Sequence, residues 1–184
     1  MDRFSFVMVL LSIIVGLGVT ELLTNIARQV QTRSKTKPYW LHSALVALVF
    51  VALLQQWWEA WDQRYVDVWS FPILLLMLGG PVGLYIISHL LFPQDFEGTD
   101  FDEFYFESPR ITFLIGAATV IFATIYRPLS FGNRLIDPDN LTSVIILGAF
   151  LTLAATRNRL VHQTLVPLML AAVVFDVLLF HMSI

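Results

Sequence analysis

Residues 4–27 read FSFVMVLLSIIVGLGVTELLTNIA, a run in which Glu21 is the only charged side chain. An α-helix rises about 1.5 Å per residue, so about 20 residues span the roughly 30 Å hydrocarbon core of a bilayer. This run is therefore long enough and apolar enough to be a transmembrane helix. It sets the interpretation of the rest of the chain.

The whole chain shares this apolar character. Of its 184 residues, 57% are hydrophobic and 14% are charged, and the mean hydropathy is +0.73. Soluble domains carry about 25% charged residues, and a chain this short cannot bury such an excess of apolar surface in its own core. The excess is expected to face lipid. The net charge of −3 and the lack of a basic patch argue against nucleic acid as a partner.

Five further apolar stretches follow the first, separated by short breaks rich in Arg, Lys, Asp and Pro. We therefore predict an all-α, polytopic membrane protein, with one integral membrane domain over residues 1–184 and six transmembrane helices in one bundle. Three helices precede an acidic connection over residues 93–110 and three follow it, which allows a 3+3 arrangement. The six helices are expected near residues 4–27, 40–61, 68–92, 111–126, 141–156 and 165–182.

Lysine and arginine residues predict the orientation of the bundle, because they concentrate in cytoplasmic connections. Alternation across six helices places seven of the 11 basic residues on one side. Both termini are therefore predicted outside, in a plasma membrane or a bacterial inner membrane. The seven on the cytoplasmic side are Arg28, Arg33, Lys35, Lys37, Arg110, Arg157 and Arg159.

Ionisable groups inside lipid are costly and mark candidate functional sites. Glu21 and Asn25 share a face of the first helix, and Tyr85 and His89 share a face of the third, because four residues make about one helical turn. His42 has a similar depth at the start of the second helix. We predict an inner polar cluster of these five residues. The alternative is that they only hydrogen-bond to neighbouring helices.

A second feature of the third helix is the group Gly79, Gly80, Pro81 and Gly83. Proline removes one backbone hydrogen bond, and glycine loosens a helix. Such breaks occur at membrane depth where the backbone is buried in protein or lines a cavity. We predict a hinge here, and a packed kink without a pathway is the alternative.

A polar stripe lies near the other membrane face. Gln55, Glu59 and Asp62 share one face of the second helix, and Asp176 on the sixth also lies in the outer half of the bundle. Two buried carboxylates need a counter-charge, a shared proton or a cation, and Arg127 is the basic residue nearest in depth. The alternative for Glu59 is solvation at the membrane surface.

The acidic connection carries six acids within residues 93–110. Phe101, Phe104 and Tyr105 are expected on one face of a short helix at the membrane interface. The acids should be attracted to the basic residues of the other cytoplasmic connections. We expect either a lid over the inner polar cluster or a solvated loop.

The leading functional hypothesis is a small channel or transporter for protons, cations or a small polar solute. Glu21 and Asp176 would be its exchangeable-charge sites, and Asn25, Tyr85 and His89 its neutral ligands. Six short helices enclose a pathway poorly, so this hypothesis predicts an oligomer in contact with membrane lipid.

Two other classes of function stay open. One is a non-catalytic subunit or assembly partner of a larger membrane complex. The other is a haem- or metal-binding membrane protein, with His42 and His89 as axial haem ligands. The sequence shows no catalytic motif that would identify an enzyme, and no residue pattern requires a cofactor.

Overall fold

The computed structural model describes residues 3–66, 69–107, 109–131 and 141–180. Within these ranges the chain is helical and contains no strand, so the all-α class is confirmed. An isolated parallel bridge joins Lys37 to Asp100. The helices are α1 (Arg3–Gln31), α2 (Trp40–Glu59), a 3₁₀ helix (Ala60–Tyr65), α3 (Phe71–Leu90), α4 (Phe101–Glu107), α5 (Pro109–Phe131), α6 (Leu141–Ala155) and α7 (Arg159–Phe180).

Several helices have the length and composition of membrane spans. Four qualify alone: α1, α2 with its 3₁₀ extension, α3 and α7. The α4–α5 pair, bent by 63°, makes a fifth if it is a single span, and α6 is a shorter apolar helix. The described residues thus give four to five candidate spans, whereas the sequence predicted six. The difference lies in α5 and α6, which were also the shortest predicted helices.

Local capping explains two shifts in the predicted helix boundaries. The third helix begins at Phe71, and the hydroxyl of Ser70 accepts a hydrogen bond from the Ile73 amide at 3.4 Å. The last helix begins at Arg159, because the side chain of Asn158 accepts a hydrogen bond from the Leu160 amide at 3.0 Å. Serine and asparagine are favoured cap residues, since their oxygens satisfy free amides of a first turn.

The glycines of α3 let this helix pack directly on α5. A methyl group at Gly79 would lie 2.6 Å from the ring of Phe122, and one at Gly83 would collide with the hydroxyl of Thr119. Pro81 lies inside α3, yet the helix continues to Leu90. The lack of a side chain at Gly79 and Gly83 thus explains the close packing of α3 on α5, whereas the hinge stays a prediction.

The contacts of α1 show which helix ends lie at the same end of the bundle. Phe4 packs edge-on to Trp61, and the Trp57 indole donates a hydrogen bond to Ser12. We call this end of the bundle, where α1 begins and α2 finishes, the tryptophan end. The opposite end holds the connection between α1 and α2 and the segment around α4. We call it the ion-pair end. Helix α1 flanks α2 and α3, whereas α5 lies between α3 and α6, and α7 packs on α2 and α6.

Candidate functional site

The tryptophan end contains a pair of carboxylates joined by one amide. Gln55 Nε2 lies 2.8 Å from Glu59 Oε1 and 2.8 Å from Asp176 Oδ2. An amide nitrogen carries two hydrogens, so it donates one to each carboxylate. This arrangement connects α2 to α7, and all three side chains are half-buried. The side chain of Arg127, predicted to be the counter-charge, lies outside the described part of the chain.

The carboxylate pair borders a cavity of about 190 Å³ between α2, α3, α5, α6 and α7. Near the tryptophan end its wall is polar and includes Gln56 and the start of α6, with Thr142 and Ser143. Deeper in the bundle most of the wall is apolar. The cavity therefore has one end rich in hydrogen-bond acceptors and a larger apolar part. Its apolar lining includes Leu48, Leu84, Ile87, Phe150, Met169 and Val173.

The structure brings three of the five residues of the predicted inner polar cluster together, nearer the ion-pair end. Glu21 Oε1 accepts a hydrogen bond from Asn25 Nδ2 at 2.9 Å and lies 3.0 Å from His89 Nδ1. Asn25 is buried, whereas the His89 side chain is 67% exposed. Tyr85 lies one turn before His89, and the described part of the chain shows no hydrogen bond from its hydroxyl. None of these four residues lines the cavity.

His42 belongs to a different environment. Its Nε2 lies 2.7 Å from the Leu91 carbonyl oxygen, so this nitrogen donates. The rings of Phe92, Phe101 and Phe104 surround it. The structure therefore does not bring His42 to the Glu21 carboxylate.

The haem hypothesis gains no support from this arrangement. His42 and His89 hydrogen-bond to different partners. Among the residues that the structure describes, no group of three or more His, Asp or Glu side chains could hold a metal ion.

The sequence interpretation missed a second buried histidine. His162 is fully buried, with Nε2 2.9 Å from the Thr156 carbonyl oxygen and Nδ1 2.9 Å from the Tyr105 hydroxyl. Since a carbonyl only accepts, Nε2 carries the proton and Nδ1 accepts from Tyr105 in the neutral ring. A signal was present in the sequence: Val166 and Met169, both buried, follow His162 at spacings of four and seven, which place it on the buried face of α7.

Ion pairs attach the acidic connection to the rest of the ion-pair end. Lys35 pairs with Glu97 at 2.6 Å, Lys37 with Asp100 at 3.1 Å, and Arg159 with Asp102 at 2.8 Å. The hydrogen bond from Lys37 lowers the pKa of the Asp100 carboxyl below its usual value. The expected attraction between acidic and basic connections is therefore present at these three pairs.

The aromatic face of α4 packs into the protein. Phe101 is fully buried and Tyr105 is 4% exposed. These two rings pack on His42 and His162, and the position of α4 relative to a membrane interface stays a prediction. Of the predicted inner polar cluster, the acidic segment therefore covers His42, and its role as a lid stays a prediction.

Comparison of the chain with protein-family models, with curated proteins and with solved structures finds no match.

Proposed function

We propose that this protein is a small integral membrane transporter or channel for a proton, a cation or a small polar solute. The observation that carries this proposal is the carboxylate pair of Glu59 and Asp176, held by Gln55 at the polar end of a cavity inside the bundle. Carboxylates inside a membrane bundle are costly, and they commonly mark ion or solute pathways. A carboxylate can also load and release a proton or a cation.

We also propose six membrane crossings. Lys35 pairs with Glu97, and Asp102 with Arg159, so these three connections lie at the same end of the bundle. Helices α2 and α3 leave that end and return to it. Between Asp102 and Arg159 the chain passes α5 and α6, which must likewise leave and return. If the α4–α5 pair crosses, the return crossing falls to α6, although α6 has only 15 residues.

The distribution of lysine and arginine supports a cytoplasmic location for the ion-pair end. The tryptophan end and both termini would then lie outside, in a plasma membrane or a bacterial inner membrane. A cavity bounded by only five helices also favours an oligomer, in which neighbouring copies complete the enclosure.

Single cysteines test the six crossings, because the chain contains no cysteine. In sealed cells, a membrane-impermeant maleimide should label Asn133→Cys, which lies in the sequence between α5 and α6. It should label Ser34→Cys and Asn158→Cys only after the membrane is opened. Labelling of all three from the same side would leave four crossings and contradict the proposal.

Flux through proteoliposomes tests the function. Vesicles with an internal pH dye and an imposed potassium gradient should show a proton or cation flux that Asp176→Asn and Glu59→Gln reduce to the level of empty vesicles. Asp62→Asn is the matched control, because Asp62 is an exposed acid of the same end that does not line the cavity. It should retain wild-type flux.

Three other results would change the interpretation. Wild-type flux in Asp176→Asn would exclude the cavity as the pathway. Loss of flux in Glu21→Gln, with flux retained in Asp176→Asn, would move the pathway to the interface of α1 and α3. Silent vesicles containing folded protein would favour the non-catalytic subunit and direct the search to co-purifying partners.

A further inference from the structure

The polar end of the cavity is suited to a single group that donates several hydrogen bonds. Glu59 Oε1 and Asp176 Oδ2 each lie 2.8 Å from the same nitrogen, so these oxygens are at most twice 2.8 Å apart. A carboxylate offers about four acceptor sites, and both of these carboxylates line the cavity. A primary ammonium has three donors and can reach both carboxylates at once.

The rest of the wall selects against an inorganic ion with its hydration shell. The deeper side chains, including Leu84, Ile87 and Phe150, carry no hydrogen-bonding group. Water molecules placed there would lose hydrogen bonds, and that loss is costly. An anion is disfavoured by the two carboxylates at the other end. The cavity therefore suits a molecule with a cationic head and an apolar body.

The volume indicates the size of the body that this cavity holds. An apolar protein cavity of about 150 Å³ holds one benzene molecule, and this cavity measures about 190 Å³. It thus accommodates one aromatic ring, or an aliphatic chain of similar volume, with a short ammonium arm. Sites for drug-sized ligands are larger, at about 300–1,000 Å³.

We infer that the solute is a small organic cation, a primary amine in its protonated form. Its ammonium group binds between Glu59 and Asp176, and its apolar body packs against Leu84, Ile87 and Phe150. This inference rests on the proposed transport function and deepens it by naming the substrate class.

Binding of benzylammonium to the full chain in phosphatidylcholine nanodiscs tests the inference. Isothermal titration calorimetry should show one saturable site, with empty nanodiscs as the blank. Benzyl alcohol, of similar shape but neutral, should bind weaker by about tenfold or more, the ratio expected from a hydrogen bond to a charged group. Benzoate should not bind.

Two kinds of variant locate the site. Asp176→Asn and Glu59→Gln should each weaken benzylammonium binding by about tenfold or more. Ala52→Leu retains both carboxylates but places a larger side chain in the cavity wall, so it should also abolish binding. The control Asp62→Asn should bind as the wild type does. Circular dichroism verifies that each variant is folded.

Several results would overturn the inference. Equal affinity for benzylammonium and benzyl alcohol would show that charge is not recognised. Wild-type binding by Ala52→Leu would place the ligand elsewhere. Displacement of benzylammonium by an equal concentration of sodium chloride would indicate a site for an inorganic cation.

The flux experiment separates these failures from failure of the proposed function. Proton or cation flux without benzylammonium binding would remove the substrate class alone. Binding that depends on Asp176, in a protein whose vesicles carry no flux of protons, potassium or benzylammonium, would instead remove transport and leave a binding site.

Discussion

The two ends of the bundle hold their acidic residues in opposite ways. At the tryptophan end, Glu59 and Asp176 both accept a hydrogen bond from the side-chain amide of Gln55, beside a cavity between the helices. At the ion-pair end, acids such as Glu97 and Asp102 lie near the surface and pair with basic residues of other connections.

Charge therefore has a different role at each end of the bundle. Exposed ion pairs add little to stability, typically about 0–1 kcal/mol. The attachment of α4 must therefore depend mainly on the buried rings of Phe101 and Tyr105. At the tryptophan end the carboxylates are partly withdrawn from water, where charge is more costly, and the proposed function would account for their presence.

The largest expected effect is at the ion-pair end. Phe101→Ala removes a fully buried ring and should lower the free energy of unfolding by about 3–5 kcal/mol. Chemical unfolding in detergent micelles measures it. Glu103→Ala, an exposed change on the same short helix, should stay within about 0.5 kcal/mol of the wild type. Similar losses in both variants would contradict an apolar attachment of α4.

A smaller loss is expected at the tryptophan end. Gln55→Leu removes a hydrogen bond to each of two half-buried carboxylates, which should cost about 1–3 kcal/mol. A double-mutant cycle with Asp176→Leu should give a coupling energy of about 0.5–3 kcal/mol. Gln31→Leu, at the exposed end of α1, is the matched control. If the stability losses of Gln55→Leu and Asp176→Leu simply add, the hydrogen bond between these two residues contributes no stability.

Charge reversal at the ion-pair end should have a modest effect. Lys35→Glu places two acids together, and the loss should be about 0.2–1 kcal/mol. Added salt should reduce this difference, because the Debye length at 0.1 M is about 10 Å. Combining Lys35→Glu with Glu97→Lys should restore stability. If stability and flux are unchanged by the single reversal, the acidic segment is not a lid held by charge.

The smallest effect concerns pH. Lys37 lowers the pKa of Asp100 in the folded protein below the usual 3.8. The pair therefore stabilises the fold above that usual pKa, and its contribution is lost as the pH falls through the lower folded-state pKa. The stability difference between wild type and Asp100→Asn should be constant above about pH 5 and should shrink as the pH falls below about 4. A difference that persists in acid would contradict this role of the carboxylate.

Some of this arrangement could be predicted from the sequence. The apolar runs predict the helical class, and the spacing of four places Gln55 beside Glu59 and Glu21 beside Asn25. In each case the two residues lie on the same helix, where the geometry of one turn fixes their separation. The similar depth of Glu59 and Asp176 follows instead from the predicted positions of the helix ends.

The partners of the histidines could not be predicted from the sequence. Periodicity shows which face of a helix a residue occupies, but not which neighbouring helix that face meets. His42 has the same depth as the Glu21 group, yet it faces α4 because Phe101 and Phe104 pack around it. The burial of the α4 rings could not be predicted for the same reason, since an aromatic face fits a membrane interface and a protein interior equally well.

The unequal lengths of the helices have a consequence for the surrounding lipid. Helix α6 has 15 residues and is about 22 Å long, whereas α1 has 29 residues and is about 44 Å long. If α6 crosses the membrane, a bilayer with a core of about 30 Å must thin beside it. This hydrophobic mismatch costs a fraction of a kcal/mol per Å. The cost falls when the α6 helices of two copies lie side by side, because less distorted lipid then surrounds them. Elastic deformation of the bilayer would then favour association of copies of this chain along α6.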